Sequence, residues 1–162
     1  MSSGKTTVGR YLARKTNMEF IDIDEAFENR YKMSITSFFD LFGETKFREL
    51  EHQILIDSFN NDNAIIATGG GTPCFFDNME FMNGLGDTIY LRTSVRELRD
   101  RLKMSRTKRP LLSHKTDSEL ESNIAEMLEM REQSYLKAKF ILDTDDLNPN
   151  NLLSSYLAMH EV

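Results

Sequence analysis

A glycine, a lysine and a hydroxyl stand side by side at Gly4, Lys5 and Thr6, with Ser2, Ser3 and Thr7 around them, and together they have the chemistry of the closing half of a phosphate-binding loop. In the pattern G-x-x-x-x-G-K-[ST], backbone N–H groups wrap a terminal phosphate, the lysine reaches its outer oxygens, and the hydroxyl that follows holds Mg2+. The opening glycine of the pattern would lie before residue 1. On the C-terminal side, Val8, Tyr11 and Leu12 recur at helical spacing, which puts a positive helix end under a bound phosphate. Alone, so short a signature reads as a capped helix start. Two further groups raise the stakes: the acids Asp22 and Asp24 closing an apolar run, and the triplet Gly69, Gly70 and Gly71, whose missing side chains let a ligand approach the backbone.

These groups need elements to position them. Phe20, Ile21 and Ile23 predict a buried strand over residues 18–24 that delivers Asp22 and Asp24 at its C-terminal tip, where ligands of open α/β sheets bind. Alternation puts those two acids on one face. Residues 25–59 follow a helical pattern through Phe27, Tyr31, Phe38, Phe39, Leu41, Phe42, Phe47, Leu50, Ile54 and Leu55, with Gly43 separating two helices. A short strand at 64–68 runs into the glycine triplet. Beyond it, the pattern predicts a short helix over 77–84, a strand at 88–91, a helix over 95–104, a basic loop over 105–116, a long helix over 117–138, a strand at 140–142 and a closing helix over 151–159. Strands alternating with helices imply a parallel three-layer sheet with right-handed crossovers. The strand that feeds a phosphate loop is normally central to such a sheet, so about ten further residues, one ordinary strand and a turn, are expected upstream of Met1. A surface turn at Gly4 to Thr6 is the competing account.

Composition narrows the function classes. A chain of 162 residues with 40% hydrophobic and 28% charged content is sized for one domain with a real core. A formal net charge of −6 argues against non-specific nucleic-acid binding. Cys74 is the sole cysteine, so no intrachain disulfide forms, and no Cys/His group has zinc-ligand spacing. No run is apolar enough to span a bilayer, and the N-terminus lacks a signal-peptide profile, so a soluble cytoplasmic protein is expected.

Taken in order, Gly4 to Gly9, Phe20 to Asp24, Phe47 to Glu51, Ala67 to Gly71, Arg109 to Leu112, and Arg131 with Tyr135 and Ala138 resemble shikimate kinase over almost the whole length. Each motif is weak; the ordered set is specific. Ser2 departs from the family pattern, standing where a glycine is usual. The resemblance implies a P-loop fold of the nucleoside monophosphate kinase kind in a single domain over 1–162, with substrate-binding helices at 24–60 and a mobile lid at 105–117. It implies transfer of the ATP γ-phosphoryl group to the 3-hydroxyl of shikimate, with Mg2+, by an expected monomer. A gluconate-type kinase on the same core, or a nucleotide-binding module without catalysis, are the alternatives.

By the same resemblance, Asp24, Arg48, Gly69, Gly70, Gly71, Arg131 and Glu51 would hold shikimate, and Asp24 would orient the attacking hydroxyl. Ser2, Ser3, Gly4, Lys5, Thr6, Thr7 and the lid's Arg109 would hold ATP, with Asp24, Lys5 and Arg109 as the catalytic set and Thr6 and Asp22 serving the metal. Each assignment has a plainer rival. Lys5 would be a solvated lysine and Asp24 a helix cap. Arg48 and Arg131, whose guanidinium groups suit a small carboxylic acid, would instead make surface salt bridges to Glu44, Glu51 or Glu132. His52, His114 and His160 do not cluster with other ligand types and receive no catalytic role.

Overall fold

The computed structural model describes residues 3–61, 63–106, 116–144 and 154. The predicted lid centre with Arg109, Ser2, residues 145–149 after the last strand and all of the closing helix but Ser154 lie outside the described residues.

Helices and parallel strands alternate as the periodicity predicts. Helix α1 (Lys5–Thr16) follows Gly4, whose φ of 93° is open to glycine at little cost. Strand β1 (Glu19–Asp22) leads directly into α2 (Ile23–Tyr31), and α3 (Ile35–Ser58) is broken at Gly43, the predicted separator. Then come β2 (Ala64–Ala67), a 3-10 turn at Thr72–Cys74, α4 (Asn78–Leu85), β3 (Ile89–Arg92), α5 (Val95–Arg106), α6 (Asp117–Tyr135) and β4 (Phe140–Asp143). Thr116 begins α6 with a reciprocal capping box to Glu119, which satisfies N–H groups the helix cannot.

Layering follows from strand alternation. Ile65 and Ile66 are neighbours in β2 and point to opposite faces. Ile65 packs with Leu12 of α1, while Ile66 joins the core of Ile23, Phe27, Phe38, Phe47, Leu55 and Met79 supplied by α2, α3 and α4. Helices therefore cover both faces. A third cluster, Leu98, Leu120 and Ile124, joins α5 to α6. Leu41 and Phe42, apolar positions of the predicted helical pattern, are exposed, because the break at Gly43 frees the end of the first segment from the core.

The single sheet expected from the sequence is, among the described strands, two two-stranded parallel sheets, β1 with β2 and β3 with β4. Between them lies a cavity of about 230 Å³ bordered by Ala64 and Ile66 on one side and by Ile89 and Leu91 on the other, across which β2 and β3 do not pair. Leu12 packs with Leu91, Leu142 and Ile65, so α1 spans both sheets and holds them side by side. No helix among the described residues is long and apolar enough to cross a membrane.

Candidate active site

Five elements end at one place. The first turn of α1 brings Lys5 and Thr6, the β1 to α2 junction brings Asp22 and Asp24, α3 brings Arg48 and Glu51, the turn after β2 brings Gly69 to Gly71, and α6 brings Arg131 and Tyr135.

At the phosphate-loop end, Thr6 Oγ1 donates to Asp22 Oδ2 at 2.8 Å, so the two residues predicted to serve a metal touch. Asp22 is also the cap of α2: its Oδ1 accepts from the backbone N–H of Asp24 at 3.0 Å and of Glu25 at 3.4 Å. This corrects the sequence reading in two ways. The strand ends at Asp22, so Asp24 sits in the first turn of a helix and not on a strand face, and the capping role offered to Asp24 belongs to Asp22. Lys5 is half-buried, and burial pulls its pKa below the ordinary lysine value, opposed by the charges of Asp24 and Asp22 and reinforced by Arg131. A bound phosphate would supply the negative charge that this desolvated ammonium lacks. No acid stands in the first turn of α1, so the helix end is left for an anion. Ser3 is braced through its carbonyl by Arg101 Nη1 at 3.1 Å, and Thr7 is exposed.

Asp24 keeps contact with solvent, yet its carboxyl is held above the usual aspartate value, by desolvation first and then by the charges of Asp22 and Glu51, against the pull of Lys5. A side chain added at Gly69 would come within 2.8 Å of Glu51 Oε1 and 2.9 Å of Asp24 Oδ1. One added at Gly71 would come within 2.7 Å of the Arg48 guanidinium carbon. Both glycines are therefore required by close approach, and the triplet is the floor on which the acids and the arginine converge.

Arg48 does pair with Glu44 and Glu51, as the plainer reading held, but the setting is not a surface. Arg48 is 8% exposed and Glu51 1% exposed. Glu44 Oε1 accepts from Nε at 3.1 Å and Nη2 at 2.9 Å, and Glu51 Oε2 accepts from Nη1 at 2.7 Å. Phe75 lies 4.3 Å and Phe47 5.0 Å from the guanidinium carbon, measured to the ring centres. Burial works to lower the pKa of Arg48, but the hydrogen bonds of the two glutamates outweigh it and fix the charge. Three of five guanidinium donors are used in these bonds, which leaves one N–H on each terminal nitrogen for a planar anion. Arg131 is different: no carboxylate of the described residues pairs with it, and its hydrogen bond goes to Tyr135, whose hydroxyl donates in turn to the Gly70 carbonyl. Burial keeps the Cys74 thiol above its ordinary pKa, which disfavours the reactive thiolate form.

Among the described residues, no group of three or more His, Cys, Asp or Glu is arranged to hold a metal alone. The Thr6 hydroxyl and Asp22 carboxylate are hard oxygen donors, as few as a cation shared with phosphates needs. The large cavity between the sheets meets this site through Ser3, Lys5, Gly69, Gly70 and Tyr135 only, and its other walls are largely apolar.

Sequence reasoning missed Thr72, Asn78 and Arg101, and it named Tyr135 within a motif without giving it a role in this arrangement. Tyr135 had a signal, one helical turn from Arg131. Arg101 had none, because its Ser3 partner is 98 positions away.

The family model for shikimate kinase matches residues 1–161. The shikimate kinase of Parabacteroides distasonis is 44% identical over 147 residues, covering 91% of this chain and 85% of that protein. The crystal structure of shikimate kinase from Bacteroides thetaiotaomicron superposes with a TM-score of 0.93 at 38% identity, covering 100% of this chain and 94% of that one. Shikimate kinase from Acinetobacter baumannii, solved in complex with shikimate, gives a TM-score of 0.85 at 30% identity over 99% of this chain and 88% of that one.

Proposed function

The chain belongs to the shikimate kinase family, and from that premise we infer how its own residues carry ATP-dependent phosphorylation of the shikimate 3-hydroxyl. The observation that carries the reading is the buried Arg48, held by Glu44 and Glu51 with one N–H spare on each terminal nitrogen, facing the glycine turn. Such a fork takes a carboxylate bidentately. Arg131 supplies the second positive charge, oriented by Tyr135. Asp24 and the Gly69 to Gly71 backbone take the ring hydroxyls, with Glu51 behind them bracing Arg48.

Phosphoryl transfer asks a protein mainly for positioning and for charge around the moving group. Lys5 and the N–H groups of the α1 start receive the β- and γ-phosphates, with Ser2, Ser3, Gly4 and Thr7 completing the loop and Arg109 closing over ATP from the lid. Thr6 and Asp22 would hold Mg2+ with the phosphates, where the ion neutralises developing charge on their oxygens. The 3-hydroxyl oxygen bonds to the γ-phosphorus as the bond to the bridging oxygen of ADP breaks, and Asp24 takes the hydroxyl proton before passing it to solvent. We assign this work to a cytoplasmic monomer.

The test is ADP release with shikimate, with gluconate and with no acceptor. Release above background with shikimate alone is expected; equal rates with gluconate would overturn the substrate assignment. In the same assay, Arg131→Lys is expected to raise the shikimate KM about tenfold or more while leaving the ATP KM within about twofold, because an ammonium replaces a planar fork. Equal losses for both substrates would remove Arg131 from the shikimate site.

A further inference from the structure

One hydroxyl that belongs to no recognised motif ties the glycine turn to the arginine beneath it. Thr72 is 0% exposed, and its Oγ1 donates to Glu51 Oε1 at 2.6 Å. The opposite oxygen of that carboxylate accepts from Arg48 Nη1 at 2.7 Å. Thr72 is itself fixed: its N–H donates to the Gly69 carbonyl at 3.3 Å, and its own carbonyl accepts from Asn78 Nδ2 at 2.8 Å. Asn78 is 1% exposed, and its Oδ1 lies 2.5 Å from Nδ1 of His52. Because the Asn78 amide nitrogen is committed to Thr72, His52 Nδ1 is the donor of that bond.

A buried carboxylate needs a donor on each oxygen. Glu51 divides its two between Thr72 and Arg48. With the hydroxyl gone, the satisfied alternative for Glu51 is to turn both oxygens onto the guanidinium, which would consume an N–H that a bound carboxylate needs.

We propose that Thr72 is a positioning residue for shikimate binding, holding Glu51 to a single Arg48 hydrogen bond so that the terminal N–H pair of Arg48 stays available to the substrate carboxylate. The proposal rests on the kinase reading above and adds to it a residue that touches no substrate atom. Its effect is confined to one of the two substrates, because Thr72 acts on Arg48 and not on the phosphate loop.

The experiment measures shikimate and ATP binding by calorimetry, together with both KM values, for the protein and for Thr72→Val and Thr72→Ser. Valine keeps the shape and deletes the donor; serine keeps the donor. Thr72→Val is expected to weaken shikimate binding and raise its KM by about tenfold, the scale of a hydrogen bond to a charged group. ATP should change by less than about twofold, and Thr72→Ser should recover shikimate binding to within about threefold of the parent. Shikimate bound equally well by Thr72→Val, both substrates weakened in the same proportion, or no recovery with serine would each overturn the proposal. Failure of the parent protein to bind shikimate would instead overturn the kinase reading. If Thr72→Val does not fold, Thr72→Ala carries the same comparison.

Discussion

At the scale of single residues, the positive charges of the site are only partly satisfied by protein partners. Arg48 is committed on three of its five donors, Arg131 leans on a neutral tyrosine, and Lys5 is desolvated between two aspartates. Asp24 gives the sharpest consequence. Its carboxyl is held above the usual value by desolvation and by the charges of Asp22 and Glu51. A base must be ionised to take a proton, so kcat/KM for shikimate is expected to fall on the acid side as pH drops through the raised pKa of Asp24, at a pH above the roughly 3.9 of an unperturbed aspartate. A pH profile in which that limb is shared unchanged by Asp24→Asn, at its lower rate, would assign it to another group. The residue types at Lys5, Asp24, Arg48 and Arg131 were legible in the sequence because each stands inside a local motif. Thr72 and Asn78 were not, since a threonine after glycines and an asparagine at a helix start are ordinary until their partners are seen.

At the scale of elements, the helical insert depends on one unusual backbone position. Gly43 interrupts α3 at φ 77° and ψ 170°, and no atom stands within 4 Å of where a side chain would begin. Space is not the constraint; backbone conformation is. Gly43→Ala is expected to cost about 1–3 kcal/mol, the strain of a region reserved for glycine. Urea midpoints would show it, and an unchanged midpoint would mean that the break is not required. The shikimate KM should rise as well, because Glu44 follows the break and orients Arg48. Helix existence was readable from periodicity here, and so was this break. The boundary at Asp22 was not, because the apolar positions Ile21 and Ile23 fit a strand continuing or a helix beginning, and only the cap bonds to Asp24 and Glu25 distinguish them.

At the scale of the whole molecule, α1 does two jobs: it carries Lys5 and Thr6 in its first turn and it clasps two sheets that do not pair with each other. Leu12, 3% exposed, is the centre of that clasp. Leu12→Ala is expected to cost about 2–5 kcal/mol and lower the Tm by roughly 5–15 °C, whereas the same change at an exposed leucine stays within about 0.5 kcal/mol. Leu41, 66% exposed, is that control, and equal melting of the two variants would dismiss the clasp. The amino-acid sequence by itself determined the alternation of helices and strands, the phosphate-loop chemistry and the ordered motifs of a shikimate kinase, because periodicity and motif spacing are properties of neighbours along the chain. Only the tertiary structure decided that Glu51 is shared between Arg48 and Thr72, that Asp22 caps a helix while meeting Thr6, and that the strands split into two pairs. Those outcomes depend on groups 16 or 21 positions apart, or more, meeting in a packed interior, and no local pattern records which of several arginines, acids or hydroxyls will arrive there.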